Sequence, residues 1–256
     1  MDPLIALSGI VVACAAILGS LFAIHHFTRK RRTEVKAWHF IPENHKLRFS
    51  DDREVVVGET LTVEGSPLLC CRGLHASECL EDALRYAPGP VLCRVTVSGD
   101  IVYGSDKLSG MSRKCLSMMD IREPVFQWIL EVVESAIKDG GFGKNKDIRR
   151  LLRLTREWVE KPESRTDASS HRLSVAASGV SIKYGYGNPT DRAAELIRVM
   201  AHTYSECGVG AWGDLFGILG NMISSEKNVW YRIPQTTRKQ HKRFFELLRQ
   251  AGVPDV

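Results

Sequence analysis

The stretch 70–103, CCRGLHASECLEDALRYAPGPVLCRVTVSGDIVY, changes its period twice, and that change decides the fold class. In its middle, Leu80, Ala83, Leu84 and Ala87 recur at i, i+3, i+4 and i+7, which is one face of a helix. Ser77 reads as the N-cap, Glu78 and Glu81 suit the positive first turn, and Pro88-Gly89-Pro90 ends the run. After it, VTVSGDIV predicts two strands joined at Ser98-Gly99-Asp100. Before it, PLLCC predicts a strand that ends at Arg72-Gly73, where glycine permits a tight turn. A helix set among short strands is an α+β signature.

Working outward, VKAWHFI, KLRF, EVVV and TLTV upstream and RKCLSMM downstream add further short β-like runs, giving a β-rich α+β domain over 35–120. From Pro124 the period becomes helical. PVFQWILEVVESAIK places Phe126, Ile129, Leu130, Val133 and Ile137 on one face, and KDIRRLLRLTREWVE does the same with Ile148, Leu151, Leu152 and Val159. TDRAAELIRVMAHTY, WGDLFGILGNMI and TTRKQHKRFFELLRQAG continue a helical region over 121–256, with a polar, glycine-containing loop expected near 160–189.

At the other end, residues 4–24, LIALSGIVVACAAILGSLFAI, carry no charge, and as a helix would span roughly 31 Å, one hydrocarbon thickness. Asp2 precedes this run and Arg29, Lys30, Arg31 and Arg32 follow it, the reverse of a cleaved leader, so a retained anchor is expected. The full expectation is therefore α+β with an N-terminal single transmembrane helix: an anchor over 1–28, a basic juxtamembrane linker over 29–34, and the bulk of the chain cytoplasmic with its N-terminus outside. The bilayer would be a partner through 4–24, and anionic headgroups through Arg29, Lys30, Arg31 and Arg32. Seven cysteines in such a chain predict free thiols. The net charge of +5 rests largely on that cluster and on RKQHKR at 238–243, a solvated helix face, so nucleic acid is not called for, while the C-terminal helices offer a surface for a protein partner.

The same opening stretch holds the candidate chemistry. As zinc ligands, Cys70, Cys71, His75 and Cys79 lack the two separated pairs that wrap an ion, so no metal is assigned. As a nucleophile either cysteine needs a base and an electropositive setting, and strand neighbours point to opposite faces, so no catalytic residue is assigned. The geometric reading is that Gly73 turns the chain, Leu74 packs inward and His75 precedes a helix whose free N–H groups favour an anion. His75 would then either fasten the turn through a ring hydrogen bond or line an anion cleft with Arg72, Gly73 and Ser77. DGGFGKNKD lacks phosphate-loop spacing and reads as an interhelical loop.

The order KAWHF, VVVGETLTV, LLCCRGLHASECLEDALRYAPG, VLCRVTVSGDIVYGSDKLSG and RKCLSM resembles an uncharacterised phage and bacterial domain family with a C-x-x-G-[LF]-H-A-[SC] motif, over about residues 36–120. The resemblance implies a phage-derived domain and names no reaction. A looser similarity to ADP-ribosyltransferase-like folds implies that His39 contacts the nicotinamide ribose and that GLHAS forms the cofactor cleft; the catalytic Glu of those folds has no evident counterpart. The leading expectation is a membrane-anchored binding or scaffold domain of unknown ligand, without a cofactor. The alternative is an ADP-ribosyltransferase-like enzyme, or an NAD- or nucleotide-binding domain at the membrane surface.

Overall fold

The computed structural model describes residues 33–49, 51–139, 142–184, 189–204, 212–216, 218 and 238–256. Five antiparallel strands form the sheet: β1 Glu34–Ile41, β2 Thr60–Thr62, β3 Leu74–Ala76, β4 Val91–Tyr103 and β5 Leu108–Asp120. The order is β1-β4-β5-β2, and β3 also pairs with β5, opposite 108–110 where β2 lies opposite 112–114. Beyond β3 the sheet curls back on itself, because Ser77 and Trp38 of β1 exchange two backbone hydrogen bonds, at 2.7 and 2.9 Å. Hydrogen bonds thus run in a closed circuit through β1, β4, β5 and β3.

Strand alternation gives the sheet two cores. Trp38, Phe40 and Leu92 face the helices, where Phe126, Trp128, Ile129, Leu151, Trp158 and Phe244 build the larger core. Val35, Ala37, Ile41, Cys93, Val95, Val97 and Cys115 form the smaller one, covered by Val55. The helices whose bounds lie among the described residues are α1 Leu80–Leu84, α2 Arg122–Asp139, α3 Lys146–Glu160, α4 Asp167–Tyr184, α5 Pro189–His202 and α6 Arg238–Gln250. Asn145 caps α3 by accepting from the N–H groups of Asp147 and Ile148.

Several expectations are corrected. The α+β class stands, but the transmembrane helix joined to it is not found: among the described residues no helix is long and apolar enough to cross a membrane, and the expected span 4–24 lies outside them, as do Arg29, Lys30, Arg31 and Arg32. Glu34, expected in the linker, opens β1. VTVSGDIV is one strand; Gly99, at φ +84°, shifts the register between Ser98 and Ile101 as a bulge, and the chain turns at Gly104–Lys107 instead. The loop expected near 160–189 contains α4, whose buried positions Ser170, Leu173, Ala177 and Val180 include small residues that mute the apolar period. KLRF and EVVV form a long connection joined by one bridge, Lys46 to Glu54. PLLCC is a turn closed by Leu68 and Arg72, with Cys70 at φ +64°.

Candidate functional site

The register of β5 sets Arg113 between Leu61 of β2 and Val97 of β4, on the side of the smaller core. It is 3% exposed. Nη1 donates to the His75 carbonyl at 2.6 Å, whereas Nη2 is enclosed and has no partner. Burial lowers its pKa to about 10, against the opposing pull of Cys93, Cys115 and Asp51. A guanidinium taken out of water with no carboxylate on it is uncommon, since buried charge is normally paired.

Two imidazoles flank it. His39 stands opposite Cys93 in the β1–β4 pairing, and burial, then Arg113, then His75 hold its pKa well below the ordinary histidine value. His75, opposite Ser109 on β3, is half-buried and also lowered, first by burial, then by Lys107 and Arg113. Its Nε2 accepts the Cys70 N–H at 3.1 Å, so the neutral ring carries its proton on Nδ1. This bond fastens the 68–72 turn. Next to Arg113 lie two thiols: a hydrogen bond with Cys115 and burial keep Cys93 protonated, while that bond and Arg113 lower Cys115.

The expected cleft residues divide. His39 and His75 are brought to Arg113. Arg72 is committed elsewhere, its Nε donating to the Ser66 carbonyl at 2.8 Å. Gly73 serves the backbone: at φ +113°, a Cβ there would lie 2.2 Å from Ser109 Oγ. Ser77 is not the N-cap. That position is Cys79, without a side-chain cap bond, and Ser77 is spent on closing the sheet. An anion site at the helix N-terminus is corrected with it, because His75 lies in the middle of β3 and α1 is only five residues long.

Arg113 itself escaped sequence reading. RKCLSMM reads only as a short β-like run, and the available signal is a charge in step with Cys115, at an inward position of that strand. Asp51 and Arg53 escaped as well. Both Arg53 Nε and Nη2 donate to Asp51 at 2.7 Å, and Nη1 donates to the Thr62 carbonyl at 2.7 Å. Thr62 adjoins Leu61, the β2 partner of Arg113, and both members of this fork act electrostatically on the buried guanidinium. Among the described residues, no group of three or more His, Cys, Asp or Glu converges as a metal site. No family model, curated protein or solved structure matches this chain.

Proposed function

We propose that the curled sheet is a binding module for a small oxyanion, a carboxylate or phosphate, taken up through Arg113. The observation that carries this is Nη2 of Arg113, which is buried in a cationic group and unpaired. Withdrawing an uncompensated charge from water costs several kcal/mol even after relaxation. An oxyanion on Nη2 would supply both the missing acceptor and the missing charge, and the planar guanidinium suits either group. Binding is favoured over catalysis at this site because the His75 ring is tied to the Cys70 N–H and Cys93 is held protonated, so neither is free to act as a base or a nucleophile beside Arg113.

A nucleotide such as NAD is a second reading. It is favoured by the pairing of Trp38 with Ser77, which sets the strand of His39 beside the GLHAS strand. In that case the phosphates are the anion that Arg113 holds.

The test is calorimetric titration of the full chain with phosphate, acetate and NAD, for wild type, Arg113→Gln and Arg113→Lys, each first shown to unfold cooperatively. Saturable binding that weakens by about tenfold or more in Arg113→Gln is expected, in line with loss of a charged hydrogen bond. Equal affinity in wild type and both variants would refute the reading, as would no binding at all. NAD binding without phosphate or acetate binding would select the second reading.

A further inference from the structure

Asp51 and Arg53 lie in the long connection between β1 and β2, whose Val55 is buried in the smaller core next to Arg113. Two of the three donating nitrogens of Arg53 grip Asp51, and the third is anchored to the Thr62 carbonyl, on the strand that pairs with Arg113. The Asp51 carboxylate is thereby parked on an exposed arginine while a buried arginine nearby has an open N–H group. Asp51 also interacts electrostatically with Arg113. The other ionisable groups around Arg113 are His39, His75, Cys93 and Cys115, none of them a carboxylate.

We infer that Asp51 and Arg53 determine the specificity of the Arg113 site: Asp51 is the internal competitor for Arg113, and Arg53 keeps it off so that an external oxyanion can enter. This rests on the anion-binding reading above. Its consequence is that the two halves of one ion pair act on the ligand with opposite signs. Neutralising Asp51 removes the competitor and strengthens binding. Neutralising Arg53 releases Asp51 toward Arg113 and weakens binding. An anion must then outcompete a tethered carboxylate, which selects for phosphate over a simple monocarboxylate, since the more highly charged ligand gains more from the same cation.

The experiment is titration of the full chain with inorganic phosphate and with acetate, using Asp51→Asn, Arg53→Gln, the double variant and Arg113→Gln. Asp52→Asn is the control: Asp52 is exposed and makes the same change in net charge. Asp51→Asn should tighten phosphate binding about fivefold and Arg53→Gln should weaken it about fivefold, each on the order of one exposed charge pair. The double variant should bind like Asp51→Asn alone, because without the competitor Arg53 has nothing to restrain. Asp52→Asn should stay within about twofold of wild type. If Arg53→Gln weakens binding as much in the Asp51→Asn background as alone, Arg53 is a direct ligand and the inference is overturned. It is also overturned if Asp51→Asn and Asp52→Asn shift affinity equally. Both of these results leave the anion site standing provided Arg113→Gln still loses binding; unchanged binding in Arg113→Gln overturns the site and the inference together.

Discussion

Among the described residues two arginines are buried, Arg165 between the helices and Arg113 inside the curl of the sheet. Arg165 is fully accounted for. Nη1 and Nη2 reach the two Glu123 oxygens at 2.5 and 2.8 Å, Nε donates to the Trp158 carbonyl and Nη2 to the Val159 carbonyl. Its guanidinium lies over Phe126 and Trp158, at 5.1 and 4.8 Å from their centroids. Those carbonyls belong to the last turn of α3, where a cation also meets the negative end of the helix dipole. Arg113 makes one hydrogen bond, meets no carboxylate and leaves Nη2 idle. The contrast separates two uses of one side chain: an arginine that joins elements spends its donors on the fold, whereas one that serves a ligand, as proposed for Arg113, would hold donors back.

The largest expected effect tests that contrast directly. Arg165→Met should cost about 3 kcal/mol, chiefly by orphaning two buried carbonyls; little of it comes from the ion pair, because the Glu123 side chain is 54% exposed. Arg113→Met loses one bond to the His75 carbonyl but also relieves an unpaired buried cation, so its stability should stay within about 1 kcal/mol of wild type. Urea unfolding at neutral pH measures both. Equal losses would show that Arg113 is as structural as Arg165, and the comparison would break.

A smaller effect is expected at the turn that holds the His75 strand in place. Gly73→Ala forces a side chain into a left-handed backbone, with its Cβ against Ser109 Oγ, whose hydroxyl donates to the Arg72 carbonyl. A cost of about 2 kcal/mol follows from backbone strain of this kind. Ser109→Ala should recover part of it by clearing space, and a double-mutant cycle would show the coupling. No recovery would mean that the backbone conformation, together with the close Gly110 carbonyl and Pro67, accounts for the loss.

What could be read in advance, and what could not, follows from the same physics. The faces of α2 and α3 were legible because Phe126, Ile129 and Val133, or Ile148 and Leu151, are large apolar residues at helical spacing, and all five are buried. α4 was not, because Ser170 and Ala177 fill its buried face and leave the period faint. Of the two roles left open for His75, the ring hydrogen bond that fastens a turn is present, at the Cys70 N–H, yet the place of its strand in the sheet was not legible, because Ser77 spends its backbone on Trp38, a contact that no local pattern encodes. Arg113 opens the RKCLSM run, but nothing in that run marks it as a site residue. Its significance lies in what does not contact it, and only the assembled sheet shows that.

The smallest expected effect is on the pH dependence of stability, and it sharpens the comparison because Arg113 has titratable neighbours held out of balance. His39 and His75 are both depressed below the value of 6.5, with burial the first cause in each. The unfolded chain therefore takes up these protons before the folded one does. The stability tied to the neutral rings is complete above about pH 6.5 and declines as pH falls below it toward the folded values. A proton fully withheld by the fold corresponds to about 1.4 kcal/mol per pH unit, and the half-buried state of His75 reduces its share. From about pH 6.5 to 5.5, wild type should lose on the order of 1 kcal/mol more than His39→Gln, read from urea midpoints at each pH. Since Arg113 is the second cause of the His39 depression, Arg113→Met should flatten the same profile in part, and saturating phosphate should do so in wild type if it binds at Nη2. Arg165→Met should leave the slope unchanged. A profile as steep in His39→Gln as in wild type would place the acid sensitivity on carboxylates elsewhere and remove His39 from the site.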